Sequence, residues 1–273
     1  VKQKTSELVK QIRQLEYVED RMEVLKDTFK DETVYIIGAG PSLNTHPVDK
    51  IKDKLQNELV FCIKQSYHTF NEICDFQLIN FTNLSPYQIN PNHIAAWCYF
   101  HPQHPQMIIQ NGWKVDLLYP MYGDGNDWKE RGYEDKLGQS VFAEDRFEDF
   151  SFEKSIERPW GPGITYELAI PLAIHLGVKK IVTIGWDIGT LSLYDDNIKD
   201  DIKGLNQNKV WQDHSYDVDK TQMLDKFNMT KREVSLVANK FEGMYNWITS
   251  QGVEFNIISD RNPVSDIVPR VEL

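Results

Sequence analysis

Cysteine is scarce in this chain, with Cys62, Cys74 and Cys98 the three among 273 residues. So few thiols exclude a disulfide-built scaffold, and their apolar, strand-like or helix-like surroundings read as buried reduced thiols of a reducing compartment rather than as metal ligands. Long hydrophobic runs are lacking as well. None approaches the ~20 residues that a membrane-spanning helix needs, and no signal-peptide pattern is seen. Positive charge is in deficit, 30 Lys and Arg against 41 Asp and Glu, for a net charge of −11. That balance weighs against a nucleic-acid partner, while leaving room for a local basic pocket that takes phosphate. Internal repeats, low-complexity tracts and linker-like stretches are missing too. The chain opens on Val1 instead of Met, which reads as a piece cut from something longer.

What is present is a folded composition, 41% hydrophobic and 12% aromatic, with enough length to bury a substantial core. The most informative stretch is Thr33–Leu43, TVYIIGAGPSL. Val34 to Ile37 reads as a buried strand that runs into Gly38-Ala39-Gly40-Pro41-Ser42. Two close glycines permit a sharp turn and bring bare N–H groups to a ligand, Pro41 suits a first helical turn, and Ser42 is placed to cap it. A strand feeding a helix through such a turn is a natural phosphate site. The other reading is a tight turn without a ligand. Leu43 stands where a dinucleotide fingerprint has its third glycine, which weakens a dinucleotide reading.

Ahead of this stretch, Leu8, Ile12, Leu15, Val18, Met22, Leu25 and Phe29 recur at spacings of three and four, predicting one amphipathic helix over 4–29. Residues 1–30 are therefore expected to form an arm or half of a coiled coil, the latter giving a homo-oligomer. Behind it, helices at about 46–56 and 66–73 alternate with strands at 59–63, 76–80, 94–100 and 115–119. The alternation predicts an α/β fold, a Rossmann-like mostly parallel sheet with helices on both faces, spanning 31–273. Ligands gather at the C-terminal strand ends of such sheets. That rule places Gly38–Ser42, Lys64, Gln65, Asn80 and Asn83 along one edge.

Residues 120–160 are acidic and aperiodic, and the run Gly123 to Asp127 lacks the rest of a calcium-loop pattern. Next come Gly161-Pro162-Gly163, an apolar helix over 164–176 containing Pro171, Gly177 as its C-cap, and a strand over 180–185 that stops at Gly185-Trp186-Asp187. Residues 190–220 read as a lid carrying His214. A long helix over 231–250 and a strand over 254–258 close the sheet.

The order of these patches, GxGPSL, a buried helix behind a glycine turn, a strand ending in Gly-x-Asp, then a lid with His-Ser, resembles bacterial sialyltransferases of the lipooligosaccharide type. It is also similar to a wider set that includes the motility accessory factors and the archaeal hydroxymethylpterin diphosphokinases. The resemblance runs in patches over roughly 33–265. It implies that the glycine turn and neighbouring strand ends hold CMP, and that His214, followed by Ser215, deprotonates the acceptor hydroxyl. It places Tyr194 on the leaving phosphate, Asn80 near the nucleotide, and Gln65 as one member of an Asn-Gln pair. Ala39 stands in place of an asparagine, Lys64 in place of the pair's other member, Gly161-Pro162-Gly163 in place of a Thr-Ser-Gly turn, and Gly189 in place of a tyrosine.

The function so implied is a glycosyltransferase moving a sialic, pseudaminic or Kdo-like acid from a CMP-activated donor to a glycan or other hydroxyl acceptor. His214 is its catalytic base. The nucleotide and donor are expected on Gly38, Ala39, Gly40, Pro41, Ser42, Lys64, Gln65, Asn80, Asn83, Gly161, Gly163, Asp187 and Tyr194. No cofactor or metal enters this chemistry. The alternatives are an ATP-dependent pterin diphosphokinase, which needs magnesium on carboxylates such as Asp187 and shares Asp75 before the third strand, and a nucleotide-binding module without catalysis. The expected location is the cytoplasm, with the periphery of the inner membrane as its variant.

Overall fold

The computed structural model describes residues 1–38, 40–64, 66–80, 90–99, 104–120, 168–187, 241–259, 262 and 264–273. Seven strands form one sheet: β1 (Thr33–Ile37), β2 (Leu59–Ile63), β3 (Phe76–Asn80), β4 (Ile94–Tyr99), β5 (Leu117–Pro120), β6 (Lys180–Ile184) and β7 (Glu254–Ile258). Their order is β5-β4-β3-β2-β1-β6-β7, and every pairing is parallel. From β1 the chain walks outward to β5, then returns to the other flank of β1 to lay down β6 and β7. The direction of winding therefore reverses between β1 and β6, which makes that crevice the switch point where doubly wound sheets bind ligands.

The strands form where β-branched and aromatic residues run together, and β2 (LVFCI) is buried throughout, as a strand covered on both faces must be. One face carries Val34, Ile36, Phe61, Phe76, Leu78 and Phe255, packed by the N-terminal helices, α6 (Ile170–His175) and a helix over residues 241–250. Phe61 and Phe76 approach with ring centroids 4.8 Å apart. The opposite face carries Ile37, Val60, Cys62, Ile79 and Trp97 under α3 (Val48–Leu55), α4 (Ser66–Phe70) and α5 (His104–Gln110). Cys62 and Cys74 are buried free thiols, and burial pushes the Cys74 thiol well above its ordinary value. Gly177, at φ +77, ends α6 as expected. Pro171 comes just after Leu168 and Ala169, where the chain is wound as a π-helical turn, the wider winding often found where a helix is kinked.

The N-terminal stripe is not one long helix. It is divided into α1 (Lys2–Ile12) and α2 (Val18–Leu25), with Tyr17 extended between them. The freed carbonyl of Leu15 is taken by the Arg21 guanidinium at 2.7 and 3.0 Å. Leu8, Ile12, Met22, Leu25 and Phe29 are all buried in the chain's own core. Of the two arrangements expected for the stripe, an arm across the chain's own domain or half of a coiled coil, it takes the first, packed against the sheet.

At the N-terminal strand ends, opposite the ligand edge, two buried carboxylates meet this arm. Asp75 accepts from Lys2 Nζ at 2.5 Å, Thr5 Oγ1 at 2.8 Å and the Val60 N–H at 2.9 Å. Asp116 accepts from Arg13 Nε at 2.7 Å, Arg13 Nη2 at 3.0 Å and the Ala95 N–H at 2.9 Å. Beside them His93 Nδ1 lies 3.0 Å from the Tyr67 hydroxyl, which itself accepts the Asn90 N–H at 2.9 Å. The hydroxyl proton is then free for Nδ1, so the imidazole is neutral with its hydrogen on Nε2.

Burial, with Lys2 and Arg13 nearby, lowers the His93 pKa to about 4. A histidine lowered in the fold stabilises the native state fully above its unfolded value of about 6.5, and that stability is lost as pH falls toward the folded value, about 3 kcal/mol in all. Asp75 runs the other way. Its carboxyl is raised by burial against the pull of Lys2, so it favours the fold as pH falls toward the ordinary carboxylate range. Urea midpoints are therefore expected to drop between pH 6.5 and 4.5, and His93→Gln to flatten that slope. A slope unchanged in the variant contradicts the assignment.

Candidate functional site at the sheet's switch point

The ends of β1 and β6 are level, with Ile37 paired to Ile184, so the turns that follow them meet. The Gly38 N–H donates to the Ile184 carbonyl at 2.8 Å, and the Gly40 N–H donates to the Gly185 carbonyl at 2.7 Å. A Cβ on Gly38 would lie 2.5 Å from the Gly185 oxygen. One on Gly40 would lie 2.6 Å from the same oxygen and would also strike the Asp187 carboxylate. Both positions need glycine because two backbones touch there. The expectation that these amides stand bare toward a ligand is corrected: β6 takes them.

The next amide is taken by a carboxylate. Asp187, 3% exposed, accepts the Ser42 N–H at 2.8 Å on Oδ2 and the Ser259 hydroxyl at 2.5 Å on Oδ1. The anion that this turn binds is the chain's own, and it ties together the strand ends of β1, β6 and β7. Trp186 holds the segment in place. Its ring packs edge-on against Phe241 and Phe255, at 5.0 and 5.9 Å between centroids, and its carbonyl accepts Asn262 Nδ2 at 2.6 Å.

The turn leads into a five-residue 3₁₀ segment, Pro41–Thr45, before α3 starts at Val48. The Ser42 side chain does not cap it. Its hydroxyl is buried without a hydrogen-bond partner, a donor that is costly to leave unmade. On the other flank Lys64 directly follows β2 at φ +51, a conformation uncommon outside glycine, asparagine and aspartate. Its N–H donates to the Leu78 carbonyl at 2.9 Å and its carbonyl accepts the Tyr67 N–H at 3.2 Å. Ser66 then donates to the carbonyls of Ile37 and Ile63, at 2.8 and 2.9 Å, joining the ends of β1 and β2.

Of the residues expected at the site, Gly38, Gly40, Ser42, Lys64 and Asp187 come together on this edge. Pro41 opens the 3₁₀ segment and Asn80 ends β3 on the same edge. Ala39, Gln65, Asn83, Gly161, Gly163, Tyr194 and His214 lie outside the described residues, as do the acidic run at 123–127 and the lid at 190–220. Asp75 is at the opposite end of the sheet, about 16 Å away by the length of a five-residue strand. It cannot join Asp187 around one cation. Among the described residues no group of three or more His, Cys, Asp or Glu is arranged to hold a metal, and no helix is long and apolar enough to cross a membrane. Ser66, Ser259 and Asn262 went unread in the sequence. The available signal was a lone Ser or Asn just past a strand on the ligand edge.

No family model matches the chain, and no curated protein matches it in sequence. Among solved structures it is similar to the sialyltransferase CstII from Campylobacter jejuni, described in complex with a substrate analogue, cytidine-5′-monophosphate. The similarity covers 88% of this chain and 85% of that one, at 14% sequence identity and a TM-score of 0.39. A likeness this distant assigns no function.

Proposed function

We propose that the chain is a glycosyltransferase that moves an acidic sugar of the sialic, pseudaminic or Kdo type from a CMP-activated donor to a hydroxyl acceptor. The observation that carries the reading is the meeting of the two glycine turns at the switch point, Gly38–Ser42 after β1 and Gly185–Asp187 after β6. A parallel sheet offers its ligand crevice there. Along the sequence, the patches that resemble the lipooligosaccharide sialyltransferases run in the matching order.

In the reaction the acceptor oxygen bonds to the anomeric carbon while the bond from that carbon to the CMP phosphate oxygen breaks. CMP leaves with the bonding pair, and His214 takes the acceptor proton. An imidazole with an ordinary value near 6.5 suits that task at neutral pH. Tyr194 is the donor proposed for the departing phosphate. The donor already carries a good leaving group, so the protein's work is to orient the acceptor and remove one proton, and no metal step is needed.

The test is calorimetric titration with CMP, CDP, ATP and NAD, with and without magnesium. Binding of CMP that persists in EDTA, and turnover of CMP-activated acidic sugars in EDTA, are the expected results. Magnesium-dependent binding of ATP alone would point to pyrophosphate transfer to a pterin alcohol and contradict the reading. What counts against that alternative is Asn80, which ends β3 where the diphosphokinase resemblance calls for an aspartate.

A further inference from the structure

We infer that Lys64, and not the amides of Gly38, Gly40 or Ser42 in the glycine turn, meets the phosphate charge of the bound nucleotide; the inference rests on the nucleotide reading above. The N–H groups of Gly38, Gly40 and Ser42 all have acceptors within the chain, at 2.8, 2.7 and 2.8 Å. The Leu43 N–H is also engaged, donating to the Gly40 carbonyl at 3.1 Å. The acceptor at Ser42 is the Asp187 carboxylate, and a phosphate laid on the same turn would face a like charge.

Lys64 stands on the other flank. Ile37 pairs with Cys62, so Gly38 is level with Ile63, and Lys64 lies one residue farther out, one strand spacing of about 4.8 Å to the side. Asp187 extends two residues beyond Gly185, which is level with Gly38 across β6. The edge thus has a lysine at the end of β2 and a carboxylate over the β1–β6 crevice. Among the described residues that directly follow a strand, Lys64 is the one with a positive charge. The backbone there is left-handed, a place that suits glycine or asparagine. It is pinned on both sides by the bonds to Leu78 and Tyr67. A lysine at such a position accepts backbone strain and retains a charge at the ligand edge. This arrangement orients the ligand: phosphate toward β2, hydroxyl-bearing groups toward Asp187.

The test compares CMP with cytidine on the full chain and its Lys64→Asn variant. Asparagine tolerates the left-handed backbone, so the variant removes the charge without adding strain. The expected result is a loss of about tenfold or more in CMP affinity, as for a charge-assisted hydrogen bond, with cytidine affinity unchanged. The dependence of CMP affinity on salt should weaken in parallel. Equal losses for CMP and cytidine, or no loss for either, overturn the inference while leaving the nucleotide reading standing. A wild-type chain that binds neither overturns both. Should Lys64→Asn fail to fold by circular dichroism, Lys64→Gly must show the same CMP-selective loss, and its failure to do so is equally contrary.

Discussion

Arg13→Ala is expected to lower the stability of the fold by about 3–5 kcal/mol, the cost of leaving a buried charge without its partner. Asp116 is 3% exposed and receives both arms of the Arg13 guanidinium, with the Ala95 N–H as its third donor. Removing the guanidinium also frees the carbonyls of Pro91 and His93, which it contacts at 2.6 and 3.1 Å. A denaturant titration of the variant should show an earlier midpoint with an unchanged slope. Combining Arg13→Ala with Asp116→Asn should recover part of the loss, because a neutral amide has no charge to desolvate. A loss below about 1 kcal/mol, the range of surface pairs, would mean that the pair is effectively solvated. Lys2 and Asp75 repeat the arrangement at β3, so the N-terminal arm holds the sheet at its stability end, away from the switch point.

His214→Ala is expected to reduce turnover by about two or more orders of magnitude, the contribution of a positioned general base. Affinity for CMP should stay nearly unchanged, since the proposed base would act on the acceptor and not on the nucleotide. Turnover of the wild type should fall at acid pH as the base is protonated, and the variant should lose that limb. A variant that loses CMP binding together with turnover contradicts the role, and so does one that turns over at the wild-type rate.

The strands were legible because each is a compact run of β-branched and aromatic residues between polar breaks. β2, β3 and β7 begin and end where the sequence puts them. Periodicity alone could not find the break in the N-terminal arm: the apolar spacing continues in phase across residues 13–17, while the chain there turns so that Arg13 and Arg21 both reach Asp116. α5 was missed since Pro105 lies in its first turn and Met107 and Ile109 are exposed, which leaves no stripe to read. The glycine turn was legible as a site and misread in detail. Composition showed that two glycines were needed, but whether the reason was a ligand or a neighbouring strand depends on β6, which is 145 residues away by the separation of Ser42 and Asp187. Asp187 was read as a donor-binding residue from its place after a strand. That its carboxylate fills the turn follows only from the parallel pairing of β1 with β6.

The most direct test of the switch-point assignment is a crystal structure of the chain grown with CMP. The expected result is CMP over the C-terminal ends of β1, β2 and β6, with its phosphate within hydrogen-bond distance of Lys64 Nζ. CMP found at the opposite end of the sheet near Asp75 and Asp116, or crystals grown at saturating CMP that hold none, would contradict the account.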